Sequence, residues 1–164
     1  MKILVLYDSF FGNTEKIAQA IATELGLRHE VSTIKVNTAN VDQLQHLDLL
    51  FVGSPTRAFS SSPAMTTFLK ALPEQSLAEV KVAVFDTRMA PEDVKPRLLG
   101  FATKLAGYAD KKILKQLRAS GAEVVLPTQG FLVMNSEGPL KDGEIERAET
   151  WAKSIAAGVE VRKY

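Results

Sequence analysis

Cysteine is absent from this chain of 164 residues. That excludes cysteine nucleophiles, including those of the cysteine phosphatases built on a similar sheet, and any iron–sulfur or thiolate-zinc centre. Histidine is nearly absent: His29 and His46 stand far apart in polar surroundings, the pattern of exposed residues and not of metal ligands. No apolar run approaches the length needed to span a membrane. Met1 leads directly into the first predicted strand without a signal-peptide pattern, so the expectation is a cytoplasmic protein with no membrane insertion. An excess of one charge is also missing. Twenty Lys and Arg against 19 Asp and Glu leave a net charge of +1, and no block of like charge points to nucleic acid. At this length one domain over residues 1–164 is expected, able to bury roughly 70% of its unfolded surface without disulfides.

Two familiar phosphate motifs are lacking as well. Neither the GxxxxGK[ST] spacing of nucleotide triphosphatases nor the GxGxxG of dinucleotide-binding folds occurs. What the chain has instead is Met1 to Glu15, MKILVLYDSFFGNTE. Ile3 to Tyr7 form an unbroken apolar run, as in a strand buried on both faces of a parallel sheet. Ser9, Asn13 and Thr14 then supply polar side chains, Gly12 permits close backbone approach, and a helical pattern follows. A strand, loop and helix start of this kind offers backbone N–H groups and the positive end of a helix dipole to one point, where an anion belongs. No Lys or Arg lies between Ile3 and Glu15, so an anion would be held by hydrogen bonds and dipole. The competing reading is that Asn13 only caps the helix.

Further along, Ile17, Ile21 and Leu25 mark a helix from Asn13 to Leu25, stopped by Gly26. Val31 to Val36 is a more polar strand that belongs at an edge. Leu49 to Val52 is a buried strand ended by Gly53, and Met65, Phe68, Leu69 and Leu72 place a helix between Pro63 and Pro73. The fourth strand is Val80 to Phe85. Asp86 to about Tyr108 has no clear helical pattern apart from a short helix around Val94 to Thr103, and an irregular stretch of that length points to function. Tyr108 to Ser120 is an amphipathic helix with Ile113, Leu114 and Leu117 inward. Glu123 to Leu126 and Phe131 to Met134 form a last strand whose pairing Pro127 breaks. Asn135 to Gly143 is a turn-rich loop, and a final helix carrying Trp151 as a packing residue runs to Gly158, with the last six residues loosely held. Five strands alternating with helices predict an α/β sandwich with a parallel sheet, and right-handed crossovers with a polar second strand favour the order 2-1-3-4-5.

In such a sheet the loops after strands 1, 3 and 4 emerge side by side. Ser9-Phe10-Phe11-Gly12-Asn13-Thr14 resembles the phosphate loop of the flavodoxin-like family: a hydroxyl residue, two variable positions, Gly, a polar residue and Thr. Gly53-Ser54-Pro55-Thr56 resembles its second flavin loop, and Phe85-Asp86-Thr87-Arg88 stands where the third begins. The resemblance covers nearly the whole chain and implies a flavodoxin-like three-layer sandwich that binds FMN. It implies further that Ser9, Asn13 and Thr14, with the backbone N–H groups of Phe11 and Gly12, hold the 5′-phosphate beside Phe10. Ser54, Pro55, Thr56, Arg57, Ala58 and Phe59 would line one side of the isoalloxazine, and Asp86, Thr87, Arg88 and Met89 the other. Phe59 is the candidate for ring stacking, with a core role at the sheet end as its alternative.

The chain departs from the family where Phe10 and Phe11 replace smaller residues, and where the second loop lacks a Trp and the third an early Tyr. It also lacks the acidity of single-electron carriers. Arg57 or Arg88 at ~6 Å from the flavin N1 would favour the reduced anion by roughly 3 kcal/mol at an effective dielectric of about 20, or about 100 mV for one electron. The alternative is that both arginines point into solvent. The resemblance implies electron transfer to an unidentified redox partner protein or small acceptor. The alternatives are an FMN-dependent oxidoreductase acting on quinones, or a flavodoxin fold that has lost flavin and serves as a binding module.

Overall fold

The apolar run after Met1 is a strand, β1 (Lys2–Tyr7), buried from Ile3 onward on both faces. In the computed structural model, which describes residues 1–56, 60–94 and 109–161, it pairs with β2 (Glu30–Lys35) on one side and β3 (Leu49–Pro55) on the other. Next come β4 (Lys81–Met89) and β5 (Glu123–Val133). All pairs are parallel and the order is β2-β1-β3-β4-β5. The polar β2 is the edge, as its pattern requires.

Alternation along the strands divides the core. Ile3, Val5, Leu49, Phe51, Ala83, Phe85 and Phe131 point to one face, packed by α1 (Asn13–Gly26) and the final helix, while Leu4, Leu6, Leu50, Val52, Val82 and Val84 point to the other. That second face is covered by α2 (Pro63–Lys70) and α3 (Ala109–Ala119), with Met65, Leu69, Ile113 and Leu117 buried as their spacing predicts. The result is a three-layer α/β sandwich. The final helix, α4 (Glu144–Val161), runs past Gly158 and buries Val159. Trp151 on α4 meets Phe51, Phe85 and Phe131 edge-on at 5.5, 6.2 and 6.0 Å between ring centroids, the packing role expected of it.

Both central strands outlast their apolar runs. β3 continues through Gly53 to Pro55, and β4 through Phe85 to Met89. Gly53 does not end its strand; it makes room, because a Cβ there would lie 2.1 Å from Phe85 Cζ on the neighbouring strand. The polar residues after each run are strand residues because each strand supplies the other's backbone partners. β5 is continuous where two pieces were expected. The break foreseen at Pro127 is a register shift: Ala83 pairs with Val125, but Phe85 pairs with Gln129.

His29 also departs from expectation. Its side chain is only 9% exposed and lies 3.8 Å from Glu160 on α4, because the turn after α1 packs against that helix. The helix expected around 94–103, beyond Val94, and Tyr108 fall outside the described residues.

Candidate functional site

The loop after β1 is built on its own hydrogen bonds. Asp8 N–H donates to Gly53 O at 3.0 Å, which ties the end of β1 to β3. Ser9 N–H donates to the buried Asp8 carboxylate at 2.9 Å, and Gly12 N–H to Ser9 Oγ at 3.0 Å. Gly12 takes φ +84°, a left-handed conformation suited to glycine, and occupies the N-cap of α1. Gly12 has no side chain and no side-chain bond caps the helix, so the first-turn N–H groups and the positive end of the helix dipole face the loop. Asn13 is therefore not the cap. It is the first residue of α1, and its Nδ2 donates to Glu137 O at 2.9 Å, on the loop after β5.

Thr14, almost completely buried, shares a hydrogen bond of 2.8 Å with Thr87 Oγ1 on β4. The first and third predicted stretches therefore meet through two hydroxyls. The second joins them at its root. Thr56 N–H donates to Thr87 O at 2.9 Å, and Thr56 Oγ1 donates to Asp86 Oδ2. Ser62 N–H donates to Ser54 Oγ at 2.9 Å, tying the N-cap of α2 to the end of β3. Ser9, Gly12, Asn13, Thr14, Ser54, Pro55, Thr56 and Thr87 thus gather at the carboxyl end of the sheet. Arg57, Ala58 and Phe59 lie outside the described residues.

Asp86 to Met89 form strand, not loop. Asp86 is fully buried and forms an ion pair with Arg88, whose Nε–H donates to Asp86 Oδ1 at 2.6 Å. The Arg88 guanidinium lies across Gly130, where a Cβ would come within 2.5 Å of Nε. Arg88 therefore neither points into solvent nor acts as an isolated cation. The Asp86 charge beside it cancels most of its field beyond a few ångströms. Met89, half-buried, ends the strand beside Val133.

Phe10 and Phe11, at 48% and 45% exposure, form the outer rim of the first loop. Beneath it, Tyr7 OH donates to Glu15 Oε1 at 2.9 Å, and burial together with that carboxylate pushes the phenol up to about 12. Lys141 pairs with Asp93 at 2.5 Å, joining the loop after β5 to the turn after β4, and this hydrogen bond raises the lysine above its usual range. Sequence reasoning missed Glu137, Gly138 and Ser62 as parts of the site. The 135–143 stretch is recognisable as turn-rich, but nothing in its spacing shows that it returns to α1.

Among the described residues there is no cluster of His, Cys, Asp and Glu able to hold a metal ion, and no helix long and apolar enough to cross a membrane. A parallel sheet of this order, with a hydroxyl-bearing glycine loop running from β1 into a helix start that no side chain caps, defines the flavodoxin-like class of α/β sandwich. The flavodoxin domain profile matches residues 4–128, most of the chain, and the protein belongs to that family. Membership implies a flavin cofactor.

Solved structures show the same fold. Flavodoxin 2 from Bacillus cereus is 25% identical with a TM-score of 0.72, over 96% of this chain and 99% of that one. A flavodoxin from the domain Archaea is 22% identical with a TM-score of 0.72, over 98% and 99%. The rubredoxin oxygen:oxidoreductase of Desulfovibrio gigas is 20% identical with a TM-score of 0.71, and here 98% of this chain covers only 36% of that one. No curated protein sequence matches the chain.

Proposed function

We propose that this chain is an FMN-binding electron-transfer protein, a single domain that takes up electrons from one partner and passes them to a redox protein or small acceptor. The observation that carries this reading is the uncapped start of α1, with Gly12 at positive φ between the Ser9 and Thr14 hydroxyls. These groups fit a phosphate: hydroxyl and amide donors converge on a helix N-terminus, and Gly12 has nothing within 4 Å of where a Cβ would stand. Ser9, Asn13, Thr14, the Phe11 N–H and the first-turn N–H groups of α1 would bind it; the Gly12 N–H, expected to join them, is given instead to Ser9 Oγ. The buried Asp8 carboxylate orients Ser9 through its N–H.

When bound, FMN supplies the one- or two-electron chemistry; the protein sets position, access and potential. Pro55 and Thr56 would flank one side of the ring and the end of β4 the other. Thr87 fixes Thr14 from below, and Asp86 anchors Thr56 while neutralising Arg88. Arg88 thus stands on β4 with the Asp86 carboxylate beside it. Arg57 is then the remaining candidate for raising the potential.

Titration of the purified apoprotein with FMN and riboflavin, followed by flavin fluorescence, tests the reading. FMN should bind at least about tenfold more tightly, since each hydrogen bond to a charged group contributes ~1.5–3 kcal/mol. No binding at micromolar FMN would overturn it.

A further inference from the structure

We infer that Gly138, on the loop after β5, is a positioning residue for the phosphate cradle: its missing side chain gives Asn13 the place from which it sets the preference for phosphorylated flavin. The inference rests on the FMN reading above and adds a determinant far away in sequence.

Asn13 opens α1 and is buried. One of its two amide protons is committed to Glu137 O, which fixes the plane of the side chain and thereby the direction of the second proton and of Oδ1. Gly138 lies directly against that amide. A Cβ at 138 would stand 2.5 Å from Asn13 Nδ2, 2.6 Å from Oδ1 and 2.9 Å from Cγ. The backbone at Gly138 takes φ +108°, so a side chain there is also strained.

The loop has little room to withdraw. Met134 N–H donates to Pro139 O and Lys141 N–H to Leu132 O, both at 2.8 Å, pairing its returning limb with the end of β5. Gly138 N–H donates to Asn135 O at 3.1 Å, closing the turn between them. Below, Glu144 accepts from Leu132 N–H at 2.7 Å, so α4 holds the same strand segment. A side chain at 138 therefore moves Asn13, not the loop. The displaced amide loses Glu137 O and turns away from the direction in which it serves the start of α1.

The test compares Kd for FMN and riboflavin in four proteins: wild type, Gly138→Ala, Asn13→Ala and the double variant, with circular dichroism confirming that each is folded. Gly138→Ala and Asn13→Ala should each lower the preference for FMN about tenfold, with riboflavin affinity unchanged, as loss of one hydrogen bond to a charged group requires. In the double variant the obstructed atoms are gone, so Gly138→Ala should add no further loss, the non-additivity of residues in contact. If Gly138→Ala alone does not fold, the Asn13→Ala and double-variant pair decides: equal ratios support the inference and a further drop overturns it. An FMN preference that survives Gly138→Ala, or an equal loss for both flavins, overturns this inference alone. A wild-type protein that binds FMN no better than riboflavin overturns the FMN reading together with it.

Discussion

The ends of β1 and β4 lie two strands apart on the same edge of the sandwich, and they treat their polar residues in opposite ways. After Tyr7 the chain leaves the sheet, and its hydroxyls and amides surround the uncapped start of a helix. After Phe85 the chain stays in the sheet, and Asp86, Thr87 and Arg88 are engaged by Thr56, Thr14 and one another. The difference teaches where a ligand can be recognised and where its frame is made rigid. The β1 end leaves the helix start without a side-chain cap, whereas the β4 end uses its polar groups to hold two loops in place.

The largest way to break that contrast is Asp86→Ala. It removes the buried carboxylate that pairs with Arg88 and accepts from Thr56 Oγ1, so it should cost about 3 kcal/mol in urea unfolding. A cost below about 1 kcal/mol would show that the β4 end is no rigid frame. The β1 end is probed next by pH. Because the folded protein holds the Tyr7 phenol up to about 12 against 10.0 unfolded, its contribution is complete below pH 10 and disappears as pH rises through 12. Wild-type stability should fall across that window, and Tyr7→Phe should remove that part of the alkaline loss. Absorbance titration should show one fewer phenol ionising late in Tyr7→Phe than in wild type. The smallest effect belongs to the rim. Phe10→Ser is expected to change stability by no more than about 0.5 kcal/mol, since nearly half of the side chain is already in solvent. A larger loss would mean that the rim belongs to the core.

Much of this was legible in the residues. The order of the strands followed from the buried run Ile3–Tyr7 and the polar β2, and the gathering of Ser9, Thr14, Ser54 and Thr56 followed from parallel topology. The true lengths of β3 and β4 were not legible. Gly53 and Asp86 carry the local signals of chain punctuation, yet pairing with a neighbouring strand overrides them. The paired state of Arg88 was hidden for a related reason. In an extended strand residues i and i+2 share a face, so Asp86 and Arg88 are placed together only once the segment is known to be strand. Glu137 and Gly138 gave no signal, since what matters is a carbonyl and an absent side chain.

Patterns with a local cause, such as apolar runs, helical spacing and the glycine that turns the first loop, were determined by the sequence itself, because they depend on neighbours a few residues away. They were enough to specify the sandwich and to mark the first loop as the candidate anion site. Only the tertiary structure decided which polar groups satisfy one another, that Gly53 makes way for Phe85, and that the loop after β5 closes on Asn13. Those choices depend on groups far apart in the chain meeting at a few ångströms, and no periodicity along the chain records that distance.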